Sequence, residues 1–146
     1  MKVPGARSGQ SKKHQTQWAA QFFVAAELTR RGYLTALTLG NAPAVDLLVI
    51  SPKGVQFAVD VKGQSTRNFW LLQNREGKEG MFYILVHVPP QEPPQFFIMG
   101  SRVLMKERED YKKHIDGTTG KYRDDLGGIN WGTALAHKDA WSVLPE

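Results

Sequence analysis

The sequence predicts an α/β domain: a helix, a succession of short strands, then C-terminal helices. Three kinds of stretch carry that expectation. The segment WAAQFFVAAELTRR, from Trp18, has helical composition and stops at Gly32. YLTALTL from Tyr33 and VQFAVDVK from Val55 alternate with the period of half-buried strands. MFYILVHV, from Met81, is a fully apolar run of strand length and reads as a central buried strand.

The elements follow in order. Residues 1–14 combine Gly, Ser, Lys, Gln and Pro without periodicity, so a disordered basic tail is expected there, with residues 15–146 forming a single domain. The helix is expected over residues 16–31, with Trp18, Phe22, Ala25, Ala26 and Thr29 on one face, Phe23 at its edge, and Val24 and Leu28 opposite. Arg30 and Arg31 suit the negative end of its dipole. Residues 33–39 are the first strand, residues 40–43 a loop, and Asp46 opens the second strand. Ser51-Pro52-Lys53-Gly54 places Pro and Gly where a tight turn favours them, and residues 55–62 make the third strand. Residues 69–72 read as a short further strand and residues 73–80 as a charged loop.

The short proline-rich connection 89–94 predicts that residues 95–99 run antiparallel to 81–88. Ser101 is expected to cap a helix reaching Ile115, with Val103, Leu104 and Tyr111 turned inward. Residues 118–132 look loop-rich, with Asp124 and Asp125 on turn duty, and residues 138–144 suggest a short helix docking Trp141 and Leu144.

Composition sets outer limits. A chain of 146 residues, 41% hydrophobic and 23% charged, suits one soluble domain with its own core. It has no apolar run of membrane-spanning length, and its first residues lack a secretory h-region. Without cysteine there are no disulfides and no thiolate metal sites, and a cytoplasmic setting is expected. His14, His87, His114 and His137 show no zinc-ligand spacing, and no phosphate-loop or dinucleotide fingerprint occurs. The net charge of +5 is compatible with a nucleic-acid partner.

The chemistry concentrates in residues 43–64, PAVDLLVISPKGVQFAVDVKGQ. Alternation puts Gln56, Ala58, Asp60, Lys62 and Gln64 on one face of the third strand, with Phe57, Val59 and Val61 turned into a core. Pairing across the turn brings Asp46 close to Asp60, so two carboxylates and an ammonium converge at one end of a sheet. Such oxygen donors suit Mg²⁺ or Mn²⁺, which keeps several waters and leaves room for phosphate. A half-exposed strand also carries charges merely as solvated surface, and both readings stay open on these residues alone. Gln64, Ser65 and Arg67, directly after the lysine, either touch phosphate or form a solvated connection. Lys12 and Lys13 either engage phosphates or belong to a solubilising tail.

Asp46 followed by Asp60-Val61-Lys62 resembles the PD-(D/E)xK nuclease superfamily, which includes restriction endonucleases and archaeal Holliday junction resolvases. The likeness spans residues 18–88. It implies a restriction-endonuclease-like core, an N-terminal helix on a mixed central β-sheet of about five or six strands, with C-terminal helices. It further implies that Asp46 and Asp60 bind Mg²⁺ or Mn²⁺ and that Lys62 serves the attacking water. Val45 stands where a proline usually precedes the first acid. Gln21 stands where resolvase-like members carry a glutamate, which makes it an outer or weak ligand, while Glu27 reads as an ordinary surface residue. No helix is evident after the third strand, where the family usually has one.

The activity so implied is metal-dependent hydrolysis of phosphodiester bonds in nucleic acid, DNA in preference, with a two-fold homodimer favoured if two strands are cut symmetrically. The alternative on the same scaffold is a catalytically inactive module that binds nucleic acid or protein. A third is a small α/β protein whose strand charges have no role.

Overall fold

The computed structural model describes residues 9–146, which build an α/β fold of the expected layout. Helix α1 (Gly9–Arg30) ends at a turn where Gly32 takes a φ of +91°, a conformation glycine adopts without strain. Strands β1 (Leu34–Leu37), β2 (Leu47–Ile50) and β3 (Gln56–Gln64) form an antiparallel meander, Leu34 opposite Ile50 and Leu47 opposite Val59. Between β2 and β3 the anticipated turn is closed by Gly54 N–H on Ser51 O at 2.9 Å. Strand β4 (Trp70–Leu71) leads to β5 (Met81–His87), which runs parallel to β3, and β6 (Gln95–Gly100) returns antiparallel. The main sheet is therefore mixed, in the order β1-β2-β3-β5-β6. Parallel neighbours need a long crossover, and here residues 65–80 supply it without a helix.

Helix α2 (Ser101–Thr119), a 3₁₀ turn (Asp124–Leu126), β7 (Gly128–Ile129), α3 (Trp131–Leu135) and a second 3₁₀ turn (Trp141–Val143) complete the chain. Strand β7 pairs with β4 as a separate two-stranded ribbon. Alternation along β3, β5 and β6 divides the core into two layers. On one face Val59, Val61, Ile84 and Ile98 meet Ala20, Val24 and Leu28 of α1, with Trp141 and Leu144 docked there as expected. On the other, Tyr83, Leu85, Phe97 and Met99 meet Leu104 of α2 together with Trp70, Ile129 and Trp131. Among the described residues no helix is long and apolar enough to cross a membrane.

Several expectations are corrected. Helix α1 begins at Gly9, so Lys12 and Lys13 are helical rather than part of a loose tail, whose residues 1–8 lie outside the described ones. Its buried stripe is Ala20, Gln21, Val24 and Leu28, whereas Trp18 and Phe22 stack at 5.9 Å on an exposed face. The cause is close approach: a Cβ on Gly63 of β3 would lie 2.7 Å from Ala20 Cβ and 3.1 Å from Thr16 O. An aromatic side chain at that contact would hold the helix off the sheet.

Ser101 does not cap α2. Gly100 is the N-cap residue, while Ser101 Oγ accepts from Lys78 N–H and donates to Lys78 O, both at 2.8 Å, pinning the crossover to α2. Val103 is exposed, and α2 runs one turn beyond Ile115 to Gly120, which closes it in the left-handed conformation. The terminal helix is only the 3₁₀ turn, and α3 was not anticipated. Asn130 Oδ1 caps α3 by accepting from Thr133 N–H at 2.9 Å.

The contact between Ala20 and Gly63 generates a stability prediction. Gly63→Ala should cost about 1–3 kcal/mol by overpacking. Adding Ala20→Gly should recover part of that loss, because the clashing methyl is gone, although glycine in a helix costs about 1 kcal/mol. Urea denaturation of the double-mutant cycle checks it: strictly additive losses would show that the contact does not limit helix approach.

Candidate active site

Strand β3 outruns β2, and that overhang creates the site. Pairing between the two ends at Leu47 and Val59, so the backbone groups of Val61 and Gly63 that face β2 have no strand to meet. Buried amides and carbonyls need partners. Gln17 donates from Nε2 to Val61 O at 2.7 Å and accepts from Gly63 N–H at 3.0 Å. Asp46 completes the set, its Oδ2 accepting from Val61 N–H at 2.8 Å while its own amide donates to Val59 O at 2.9 Å. Just before it Ala44 bends the chain at a φ of +61°, and Thr38 of the adjoining loop donates from Oγ1 to Val45 O at 2.7 Å. The other carboxylate oxygen of Asp46, Oδ1, accepts from Gln21 Nε2 at 3.3 Å.

Asp60 lies on the opposite side of β3 from the α1 layer, in register with Tyr83 of β5. It is only 1% exposed. Lys62, two residues on and therefore on the same face, brings Nζ to 3.0 Å from Asp60 Oδ1. Lys62 is thus the ion-pair partner of Oδ1. Asp60 Oδ2 accepts from Arg75 Nη1 at 3.1 Å. Burial is the largest influence on Asp60 and holds its carboxyl above the ordinary 3.8; Lys62 pulls it down, Asp46 pushes it up, and Arg75 pulls it down. Burial also raises the Tyr83 hydroxyl, with Asp60 acting the same way and Arg75 against it.

The donor chemistry fits a hard divalent ion. Asp46 and Asp60 offer carboxylate oxygens, and Asp60 Oδ1 is buried with the Lys62 ammonium at 3.0 Å. Gln21 brings an amide to Asp46, a weaker ligand than an acid. Among the described residues no three of His, Cys, Asp and Glu gather into one group, so an ion here would keep much of its shell for water and phosphate.

Around this centre, the other singled-out residues take varied positions. Gln64 closes β3, and its Oε1 accepts from Asn68 N–H at 2.8 Å and Trp131 Nε1–H at 3.0 Å, committing that oxygen to structure. Ser65 is exposed, and Arg67 lays its guanidinium over the Trp131 ring at 4.5 Å. Lys12 and Lys13 are exposed on the turn of α1 preceding Gln17, which grips the far end of β3. Their charges therefore belong to the same end of the sheet as Lys62. His87 sets its ring edge-on against Trp131 at 5.1 Å.

Two participants escaped the sequence reading. Gln17 was hidden inside a helical pattern, and nothing in its spacing signals a backbone clamp. Arg75 lay in a loop read as merely charged, although a cation there is what a buried Asp60 requires.

The raised carboxyl sets the pH dependence. Above 3.8 the unfolded chain releases the Asp60 proton while the folded one still holds it, so this group's contribution to stability falls as pH climbs through the raised value. Asp60→Asn removes that slope. Thermal melts from about pH 4 to pH 7 should show the Tm difference moving in favour of D60N as pH rises; a difference that stays flat or moves the other way contradicts the assignment.

No family model, curated protein or solved structure matches the chain.

Proposed function

We propose that this chain is a PD-(D/E)xK-type nuclease that uses Mg²⁺ or Mn²⁺ to hydrolyse phosphodiester bonds in nucleic acid, DNA in preference. What supports the reading is the Lys62–Asp60 pair at the overhanging end of β3, with Asp46 bound to Val61 N–H of the same strand and to Gln21. Asp46 and Asp60 hold the ion, and Gln21 stands behind Asp46 as an outer or weak ligand. A bound divalent ion supplies charge stabilisation at the phosphoryl oxygen and acidifies water. Lys62, with a side chain about one-third exposed (36%), positions the attacking water and offsets charge on the phosphate. Arg67, Lys12 and Lys13 add positive charge for the flanking backbone. A two-fold homodimer would offer one such site to each strand of a duplex.

A second reading has its own support. An amide at Gln21 in place of an acid, and an arginine already paired with Asp60, both suit a module that binds nucleic acid without cutting it. A cleavage panel separates the two: linear duplex, single-stranded and four-way-junction DNA, plus RNA, each with Mg²⁺ or Mn²⁺. Wild type should cut at least one, and Lys62→Ala, purified alongside, should lose on the order of 10²-fold in rate. Cutting by both proteins equally, or by neither, would sink the nuclease reading, and DNA binding without cutting would favour the module.

Gln21→Glu makes the complementary prediction. Without metal it should lower Tm, since the donor to Asp46 is replaced by a like charge. Saturating Mn²⁺ should return more Tm to Q21E than to wild type, because a third carboxylate strengthens the site. Equal gains in a scanning-fluorimetry comparison would remove Gln21 from the ion's surroundings.

A further inference from the structure

We propose that Arg75 is a gate on this site: its guanidinium stands on Asp60 in the resting protein, and a divalent ion must displace it to enter. The inference rests on the reading of Asp46 and Asp60 as an ion site, and goes beyond it by assigning a role to a residue outside the motif.

The geometry supplies three arguments. First, Asp60 has no open oxygen. Arg75 Nη1 holds Oδ2 at 3.1 Å and Lys62 Nζ crowds Oδ1 at 3.0 Å, on a carboxylate that water barely reaches. Access therefore requires one of these cations to leave.

Second, Arg75 is the one built to leave. Lys62 belongs to a strand paired with β5 at Leu85 and clamped by Gln17 on its other edge, whereas Arg75 rides on residues 73–79, which form neither helix nor strand. The segment is pinned at its two ends. Leu72 N–H donates to Gly127 O at 2.9 Å and Arg108 Nε to Leu72 O at 2.8 Å, while Ser101 holds both backbone groups of Lys78. Between those pins Arg75 is tied by its backbone N–H on Met105 Sδ at 3.4 Å, by Nη2 on Gln73 Oε1 at 2.7 Å, by Asp60, and by the Tyr83 hydroxyl of β5. Gln73 travels with the same segment. The side chain is 32% exposed, so its guanidinium can exchange Asp60 for water without opening the core.

Third, charge forces the exchange. Two carboxylates, one ammonium and one guanidinium sum to zero, and a divalent ion added to all four would leave two uncompensated positive charges beside a buried group. Departure of Arg75 removes one of them. The guanidinium suits this double life, since its planar fork pairs with a carboxylate as readily as with a phosphate.

Isothermal titration of Mn²⁺ into the protein without nucleic acid tests the gate. Arg75→Ala should bind Mn²⁺ about tenfold more tightly than wild type, since no cation competes for Asp60. Arg75→Gln, which keeps a polar side chain on the segment, should do likewise and covers the case in which Arg75→Ala fails to fold. Asp60→Asn should abolish the binding heat. Equal or weaker Mn²⁺ binding by the folded Arg75 variants overturns the gate and leaves the ion site standing; no binding by any form overturns both. The ¹⁵N–¹H resonance of Arg75 Nε, followed in wild type during a Mg²⁺ titration, gives an independent readout. It should shift and broaden as the ion pair opens, and an unmoved resonance at saturation refutes displacement.

Discussion

The organisation of this protein depends on a strand longer than its neighbour. Because β3 continues past the end of β2, a stretch of backbone in the middle of the molecule needs hydrogen-bond partners that no strand provides. Side chains take over that duty, Gln17 from the helix above and Asp46 from the residue just before β2. The positions of α1, of the loop before β2 and of the first carboxylate all follow from this one shortage. The candidate site lies in the same place, since residues that can satisfy a backbone edge can also hold a cation.

On the other side of the same strand the constraint is electrostatic. A carboxylate with almost no contact with water must be compensated, and Asp60 collects Lys62 from its own strand and Arg75 from the crossover. The crossover owes its course to that demand as much as to packing. Buried Arg108 anchors its start, reaching Leu72 O and Asp124, and Ser101 anchors its end. A helix is unnecessary because the β4–β7 ribbon, Leu72 and Trp131 already cover the sheet.

Sequence pattern revealed the parts governed by local rules. The turn after Ile50, the alternation along β3, the shared face of Asp60 and Lys62, and the antiparallel return of β6 all follow from periodicity and turn chemistry. On α1 the aromatic residues Trp18 and Phe22 were expected on the packed face. The reverse holds, because Gln21 is buried for its hydrogen bond while Phe22 is left exposed. Ser101 was expected to cap α2, but its hydroxyl serves a distant loop rather than its own helix. Arg75 and α3 depend on tertiary contacts that no short window contains.

The exposed side of α1 has a spectroscopic consequence. Of the four tryptophans, Trp70, Trp131 and Trp141 are buried, and only Trp18 meets water substantially, one turn before Gln21. A polar quencher such as acrylamide or iodide will select its emission from that of the other three. The chain thus carries an intrinsic fluorophore on the helix that clamps the overhanging strand, and events at that end of the sheet can be followed without a label.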